Sequence, residues 1–252
     1  SLHDALPIFM FASFRNCYSL KEITIPSTVE SVFGKAFLDC KNLETVNVDV
    51  TQTTVSGISF TGCNKLNNGE DFLTIGNQLI RYRGHEKKVI IPENIQSLAV
   101  DCFESDEKTE TIILNHQITS IPPNCFSKAR KLTEVVLNDQ LKFIEPYAFN
   151  ECTQLKQIEI PDSVEKIAKY SFSFCVSLTK VKLPEQIKCI EKFAFVNCKS
   201  LKIIEIPESV EKIESQAFDD CKSLRMVKLY RKTDIDDLAF GHCNRVELVY
   251  LD

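Results

Sequence analysis

Residues that commonly carry chemistry are present in this chain, but not at the spacings that the chemistry requires. The chain has four histidines and eleven cysteines, yet no Cys-x-x-Cys pair occurs, and His242 with Cys243 is not followed by a second pair of zinc ligands. There is no Gly-x-Ser-x-Gly turn for a nucleophilic serine and no glycine-rich phosphate loop. The sequence therefore predicts no catalytic residue, no metal site and no cofactor, and we expect the chain not to be an enzyme.

The cysteines belong instead to a repeat that is marked by phenylalanine. Ten phenylalanines, called the ladder phenylalanines below, follow one another in steps of 23 residues, except for one step of 43 and a last step of 22. A small residue stands one before most of them, a cysteine three after and a leucine six after. Such a period predicts a repeat array rather than a conventional enzyme domain. The ladder consists of Phe14, Phe37, Phe60, Phe103, Phe126, Phe149, Phe172, Phe195, Phe218 and Phe240.

Each repeat predicts one strand, a bend and a return leg. The alternation from Leu178 to Leu183 indicates a strand with one buried face, and a proline often closes it. The stretch that follows, such as 164–167, is too short for a long helix, and we interpret it as a turn or a short 3₁₀ segment. One repeat cannot bury enough apolar surface to fold alone, so neighbours must stack with equivalent positions about 4.8 Å apart.

The pattern AFxxCxxLxxIxIPxxVxxI, seen in residues 148–160 and 194–206, resembles the BspA-like leucine-rich repeats of bacterial surface proteins and parasitic protists. The resemblance runs from Phe14 to Asp252. It implies a mostly β α/β repeat solenoid, a right-handed leucine-rich-repeat coil with a parallel β-sheet. We expect residues 1–252 to form one solenoid of about ten units with both ends truncated, although residues 1–13 fit the repeat poorly.

The step of 43 residues contains an insertion of 20. Two apolar runs flank Gly76-Asn77, which predicts a β-hairpin at about 67–87 and no missing repeat. Insertions in solenoids often lie at binding surfaces, and Arg81, Tyr82, Arg83 and His85 give this one polar and aromatic character. The alternative is a decoration at a strand edge that packs locally.

Charge and cysteine usage exclude several classes of partner. The net charge is −5 and the signs are mixed, without the long Lys/Arg run that nucleic acids or anionic membranes require. No apolar run approaches the roughly 20 residues of a membrane span, so no membrane insertion is predicted. We interpret the cysteines at the repeat position as reduced residues of the core. Cys189 lies off the ladder, and we expect it to be the most reactive.

Two groups of residues are predicted on the exposed face of the sheet. Glu159, Lys182, Glu205 and Lys228 fall in one column, where opposite charges on neighbouring strands stabilise the register. Exposed apolar and aromatic residues collect near the end of the chain, with Ile203, Met226 and Leu248 expected in one column. They predict a partner site, unless a further repeat or a cap covers the end. Its residues are Ile203, Met226, Lys228, Tyr230, Leu248 and Tyr250.

The predicted function is therefore non-catalytic protein binding. The resemblance implies a cell-surface or secreted adhesion module whose partner is a host or cell-surface protein. The alternative is an intracellular protein–protein interaction scaffold, which many free cysteines favour in a eukaryotic source. Two further alternatives are that the chain is a structural spacer or that it is the recognition domain of a larger enzyme.

Overall fold

The computed structural model describes residues 8–9 and 11–251, so the expectation for residues 1–13 falls largely outside the described part. Within that part the protein is mostly β, with no α-helix and two 3₁₀ helices, Gly57–Phe60 and Leu66–Gly69. The repeats form a leucine-rich-repeat β-solenoid built from parallel sheets, as the sequence predicts.

One strand of each repeat, called the long strand below, has three or four residues. Its middle residue faces the core while its neighbours are exposed, as at Ile158 between Gln157 and Glu159, because side chains alternate between the two faces of a strand. The long strands are Glu22–Thr24, Thr45–Asn47, Lys88–Ile90, Thr111–Ile113, Glu134–Val136, Gln157–Glu159, Lys180–Lys182, Ile203–Glu205, Met226–Leu229 and Glu247–Tyr250.

The return leg of the repeat is β structure, and its assignment to a turn or 3₁₀ segment is wrong. Each leg contains a two-residue strand, called the short strand below, and these strands, except Ser97–Leu98, pair in parallel with their equivalents one repeat away. These hydrogen bonds pair backbone N–H and C=O groups that would otherwise have to bind water. The short strands are Ile8–Phe9, Ser31–Val32, Thr54–Val55, Ser97–Leu98, Ser120–Ile121, Phe143–Ile144, Lys166–Ile167, Cys189–Ile190, Lys212–Ile213 and Asp234–Ile235.

Between the strands, ladder phenylalanines of neighbouring repeats stack on one another in the core. The rings of Phe149 and Phe172 lie 5.0 Å apart and 5° from parallel, and those of Phe195 and Phe218 lie 5.3 Å apart. All four are fully buried. The offset stacking that aromatic rings prefer is thus reached through the spacing that parallel strands impose.

The described chain divides into two compact units. The first runs to His85 and includes Asn94–Glu104; it holds two long strands, four short strands and both 3₁₀ helices. The second comprises Glu86–Glu93 and the chain from Ser105 onward, with eight long and six short strands. A single solenoid over 1–252 stays a prediction.

The insertion forms the predicted hairpin, from the antiparallel strands Phe72–Ile75 and Gln78–Tyr82. Gly76 adopts a φ of +56° in the turn, a conformation that glycine reaches at little cost. The second strand pairs in parallel with Ser97–Leu98 of the first unit. The hairpin therefore forms a three-stranded sheet with one short strand, in which Gln78–Tyr82 is the middle strand.

Tyr82 at the end of the hairpin takes a place on the ladder. Its N–H donates to the carbonyl oxygen of Cys102 at 3.0 Å, just as the N–H of Phe149 donates to Ser171 at 2.7 Å. Its buried ring stacks on Phe103 at 5.1 Å. The 43-residue step therefore adds one aromatic ring to the stack, while no long strand lies between Thr45–Asn47 and Lys88–Ile90 in the described chain.

Candidate functional site

The exposed face of the long strands in the second unit carries a column of apolar side chains. Ile90 pairs with Ile113, and Ile113 with Val136, so the three side chains lie side by side on neighbouring strands. Ile90 is 59% exposed and Val136 42% exposed, while Ile113 is half-buried. These outward-facing positions do not contribute to the core, so three neighbouring apolar side chains there indicate a contact surface.

The sequence analysis did not single out these three positions. The signal was available, because Ile90, Ile113 and Val136 occupy the same outward position in three successive repeats. We call these three residues the apolar column.

Three of the predicted site residues, Ile203, Met226 and Lys228, lie together further along the same face. Ile203 pairs with Met226, and Glu205 with Lys228. Ile203 is 51% exposed and Met226 is half-buried. The Nζ atom of Lys228 lies 3.4 Å from Oε2 of Glu205, an exposed ion pair of the kind that contributes little to stability.

The charged column is in the predicted register. Glu159 pairs with Lys182 and Glu205 with Lys228 across neighbouring strands. Glu159 nevertheless forms its ion pair with Lys180, two residues from Lys182 on the facing strand, at 3.8 Å. Within the column itself, the ion pair among the described residues is the one between Lys228 and Glu205, on the pair of strands that places them opposite each other.

Tyr230, also a predicted site residue, lies just beyond the strand that holds Met226. Its half-buried side chain lines a groove of the exposed face together with Lys182, Glu205, Pro207 and Glu208. The groove joins an aromatic ring to charges of both signs, a combination that suits a polar protein surface better than an apolar small molecule.

Leu248 does not lie in the predicted column with Ile203 and Met226, although both Leu248 and Tyr250 are exposed. The last strand pairs Met226 with Glu247, which sets Leu248 opposite Val227 and Tyr250 opposite Leu229. Both partners are core residues. The register differs because the strand begins seven residues after Phe240 instead of eight, as it does after Phe218, and a shift of one residue exchanges the two faces of a strand.

The hairpin residues that suggested a binding surface have structural roles. Arg81 donates to the carbonyl oxygens of Asp101 and Glu104, each at 3.0 Å. Arg83 donates to the carbonyls of Cys63, Leu66 and Glu70 at 2.7–3.2 Å, and burial lowers the pKa of its guanidinium. The two arginines thus tie the hairpin to neighbouring turns of the first unit.

The cysteines are free thiols, and burial raises the pKa of several of them. Burial raises the pKa of Cys175 to about 12, and the pKa of Cys198 lies well above its ordinary value for the same reason. Cys189 is half-buried, and burial together with the charges of Glu214 and Glu191 raises its pKa to about 11. Because the thiolate is the reactive form, this pKa argues against Cys189 as a reactive thiol.

No cluster of three or more metal-ligating side chains occurs in the described part of the chain. No helix within 8–9 and 11–251 is long and apolar enough to cross a membrane.

The repeat pattern matches a family model described as the BspA type leucine rich repeat region, in six copies, over residues 8–133, 65–151 and 119–247. These matches span most of the sequence. The chain belongs to the BspA-type leucine-rich repeat family, as the resemblance predicts.

Two solved structures share the fold. The pneumococcal vaccine antigen PcpA has 18% sequence identity and a TM-score of 0.51 over 91% of this chain, which spans only 62% of that structure. A leucine-rich repeat protein from Eubacterium ventriosum has 17% identity and a TM-score of 0.51, covering 86% of this chain and 81% of that one. No curated protein sequence matches the chain.

Proposed function

We propose that this chain is a non-catalytic protein-binding module of a cell-surface or secreted protein. One observation carries the binding role: the outward face of the long strands holds Ile90 and Val136 in the apolar column, and Ile203 beside Met226. The family is one of leucine-rich repeat proteins, which fits an interaction module. The surface location is supported by the family and by likeness to a vaccine antigen.

The partner surface is extended and mixed in character. Apolar residues occupy the apolar column and the Ile203–Met226 pair, while Glu159 and Lys180 lie on the same face between them. Alternation of apolar and charged groups suits a folded protein surface, which offers apolar contacts within a polar rim. The free cysteines do not favour an intracellular scaffold, since buried thiols with raised pKa values, such as Cys175, stay reduced in either compartment.

Binding is tested with matched baits. The wild-type chain and an Ile90→Lys, Val136→Lys variant are immobilised, and extracellular proteins retained by each are quantified by mass spectrometry. A control variant, Gln154→Lys with Gln186→Lys, adds the same charge at exposed residues away from the apolar column. A protein that is held by wild type and control but lost from the apolar-column variant supports the proposal. Identical retention by all three baits contradicts it.

Location is tested by protease shaving of intact source cells, followed by mass spectrometry of peptides from residues 140–230. Release from unbroken cells supports the surface or secreted location. Protection until lysis would contradict it and would direct the search to cytosolic partners.

A further inference from the structure

A line of carboxylates follows the long strands of the second unit and begins where the apolar column ends. Asp139 stands three residues after Val136, and Asp162 and Glu185 hold the equivalent positions of the next two repeats. All three residues are exposed, and none of them forms an ion pair with another described residue. We call these three residues the acidic rim. Because equivalent residues of stacked repeats lie about 4.8 Å apart, the apolar column and the acidic rim each extend over about 10 Å.

Elsewhere in the same unit, the fold pairs its carboxylates with cations from neighbouring repeats. On the short-strand side, Oε1 of Glu165 lies 3.3 Å from Nζ of Lys142. Glu208, the next equivalent residue after the acidic rim, has Oε1 at 3.4 Å from Nζ of Lys232. Like charges on neighbouring strands are destabilising. The acidic rim is therefore a charge that the fold leaves uncompensated, and it indicates a cationic partner.

Hydrogen bonds hold the turns that carry the acidic rim. The side-chain oxygen of Asn138 accepts the N–H of Gln140 at 2.8 Å, and its amide nitrogen donates to two carbonyl oxygens one repeat earlier, at 2.7 and 2.9 Å. Asp139 lies between these two residues. In the next turn, Oδ1 of Asp162 accepts the N–H of Glu185 at 3.2 Å. The carboxylates are thus placed before a partner arrives, which lowers the cost of ordering them on binding.

A groove on the exposed face connects the apolar column to the acidic rim. The residues that line it include Glu134, Val136, Glu159, Pro161 and Lys182. It extends from Val136 of the column to Pro161, which directly precedes Asp162 of the rim. Lys182 is the one cation among the lining residues, against the two carboxylates of Glu134 and Glu159. The groove therefore adds negative charge between the column and the rim.

The cations beside the apolar column lie on the side away from the acidic rim. Lys88 precedes Ile90 by two residues on the same strand, whereas the acidic rim follows the strands. Lys87 is already paired, with its Nζ atom 2.7 Å from Oε1 of Glu110. The exposed face of these repeats is thus apolar first and acidic second along the stack.

We propose that this face binds a surface segment of a partner protein in which apolar residues are followed by a run of lysine or arginine. The apolar residues contact the apolar column, and the basic ones contact the acidic rim. At about 3.3 Å per residue, an extended segment would cover the column and the rim with about three residues each. Nucleic acids and acidic proteins are repelled by the same carboxylates. The inference rests on the proposed protein-binding function and adds the charge of the partner.

The test is fluorescence anisotropy with three labelled peptides. Each contains the block Leu-Val-Leu, followed by three lysines in the first, three glutamines in the second and three glutamates in the third. We expect the lysine peptide to bind most tightly and the glutamate peptide least. Affinity for the lysine peptide should fall severalfold between about 30 and about 300 mM NaCl, because the screening length shortens about threefold. Affinity for the glutamine peptide should change little.

An amide variant tests the acidic rim directly. Asp139→Asn with Asp162→Asn and Glu185→Gln removes three charges and keeps the size of each side chain and its ability to accept hydrogen bonds. Affinity for the lysine peptide should fall about tenfold, as expected for the loss of three exposed ion pairs. Affinity for the glutamine peptide should stay close to that of wild type.

The matched control removes the same charge at exposed residues outside the long strands and the acidic rim. It combines Glu30→Gln, Glu107→Gln and Asp237→Asn, and it should bind all three peptides as wild type does. Both variants are first compared with wild type by their urea-unfolding midpoints, so that a loss of binding is not a loss of fold.

Three outcomes overturn the proposal: no binding of the lysine peptide, equal affinity for the lysine and glutamate peptides, or equal binding of the lysine peptide by the amide variant and its control. If one of these is found while the matched baits still retain a protein that depends on Ile90 and Val136, the protein-binding function stands and the charge assigned to its partner is wrong. The failure of this inference is therefore distinguishable from the failure of the proposed function.

Discussion

The thiol of Cys175 donates a hydrogen bond to the backbone carbonyl oxygen of Phe149, one repeat earlier, with an Sγ–O distance of 3.2 Å. The same carbonyl accepts the N–H of Cys152 at 3.2 Å, so the thiol occupies its second acceptor site. Cys63 repeats the contact with Phe37 at 3.1 Å. Cysteine suits this position because it is small and apolar and still has a weak donor.

These buried thiols predict a loss of stability at alkaline pH. Burial raises the pKa values of Cys63 and Cys175 each to about 12, whereas a thiol in the unfolded chain titrates at about 8.5. The unfolded chain therefore loses these protons first, and the contribution of the thiols is fully present below about pH 8.5 and falls as the pH rises towards 12. The check is the urea-unfolding free energy at neutral pH and at about pH 10.

Other groups also titrate in that range, so the diagnostic is a difference between proteins. In a variant with Cys63→Ala and Cys175→Ala, the free energy of unfolding should fall less steeply between the two pH values than in wild type. Equal slopes in the two proteins would show that the thiols are not responsible.

Removing one ring from the ladder should be costly and local. Phe172 stacks between Phe149 at 5.0 Å and Phe195 at 5.2 Å and is fully buried. Phe172→Ala should lower the free energy of unfolding by about 3–5 kcal/mol, and hydrogen exchange should accelerate most in the adjacent repeats, since each repeat contacts its neighbours. Uniform acceleration along the second unit would contradict this expectation.

The parts of the fold that could be predicted are the core positions, because equivalent residues of every repeat are buried. Phe172 and Cys175 recur at one position because every rung has the same neighbours, so the pattern itself reports the core. The outward column of Ile203 and Met226 followed from the same register. Tyr82 was missed because a tyrosine stands there in place of phenylalanine, and because the hairpin changes its sequence spacing to the ladder phenylalanines on both sides.

Other features could not be predicted because a local change in the backbone decides them. Shortening the last repeat moves Leu248 to the core side of its strand, and no residue type signals that change. The stacked rings of Tyr147, Tyr170 and Phe193 stand on residues of positive φ, which the sequence alone does not reveal. A candidate site on an outward face is therefore only as reliable as the register of its own strand.

Gly57 should be required for docking of the hairpin. A Cβ atom at this position would lie 2.3 Å from the carbonyl oxygen of Ile80 and 3.1 Å from the Cα atom of Cys102, and backbone atoms yield little. Gly57→Ala should therefore lower the free energy of unfolding by about 1–3 kcal/mol through overpacking. Gly76→Asn is the matched control, because a Cβ there meets nothing within 4 Å and asparagine tolerates its positive φ.

Both glycine variants are compared by urea unfolding and by the rate of proteolysis within the hairpin. We expect faster cleavage in Gly57→Ala and wild-type behaviour in Gly76→Asn. Equal stability of the two variants would mean that the hairpin packs less tightly than the distances indicate.

Two aromatic residues at positive φ should respond in opposite directions to the same substitution. Phe174 has a φ of 58° and is 44% exposed, with no ring partner in the described part of the chain. Phe174→Asn should raise the free energy of unfolding by up to about 1 kcal/mol, because asparagine is less strained there. Tyr170→Asn loses two stacked neighbours, each worth about 0.5–1.5 kcal/mol, and should be destabilising. Thermal unfolding of the two variants measures the contrast, and a loss of stability in both would show that strain at Phe174 is negligible.

The Ile203–Met226 region predicts a variant that separates binding from folding. Met226 and Tyr230 are half-buried on the outward side of the sheet, so Met226→Asp with Tyr230→Asp places two charges where a partner would need apolar contact. Affinity for a partner identified with the matched baits should fall at least tenfold, a loss of about 1.4 kcal/mol or more, while the unfolding midpoint stays close to that of wild type. Gln154→Asp with Gln186→Asp carries the same charge elsewhere and should bind normally. Unchanged affinity in the first variant would remove this region from the binding face and leave the apolar column of Ile90 and Val136 as its centre.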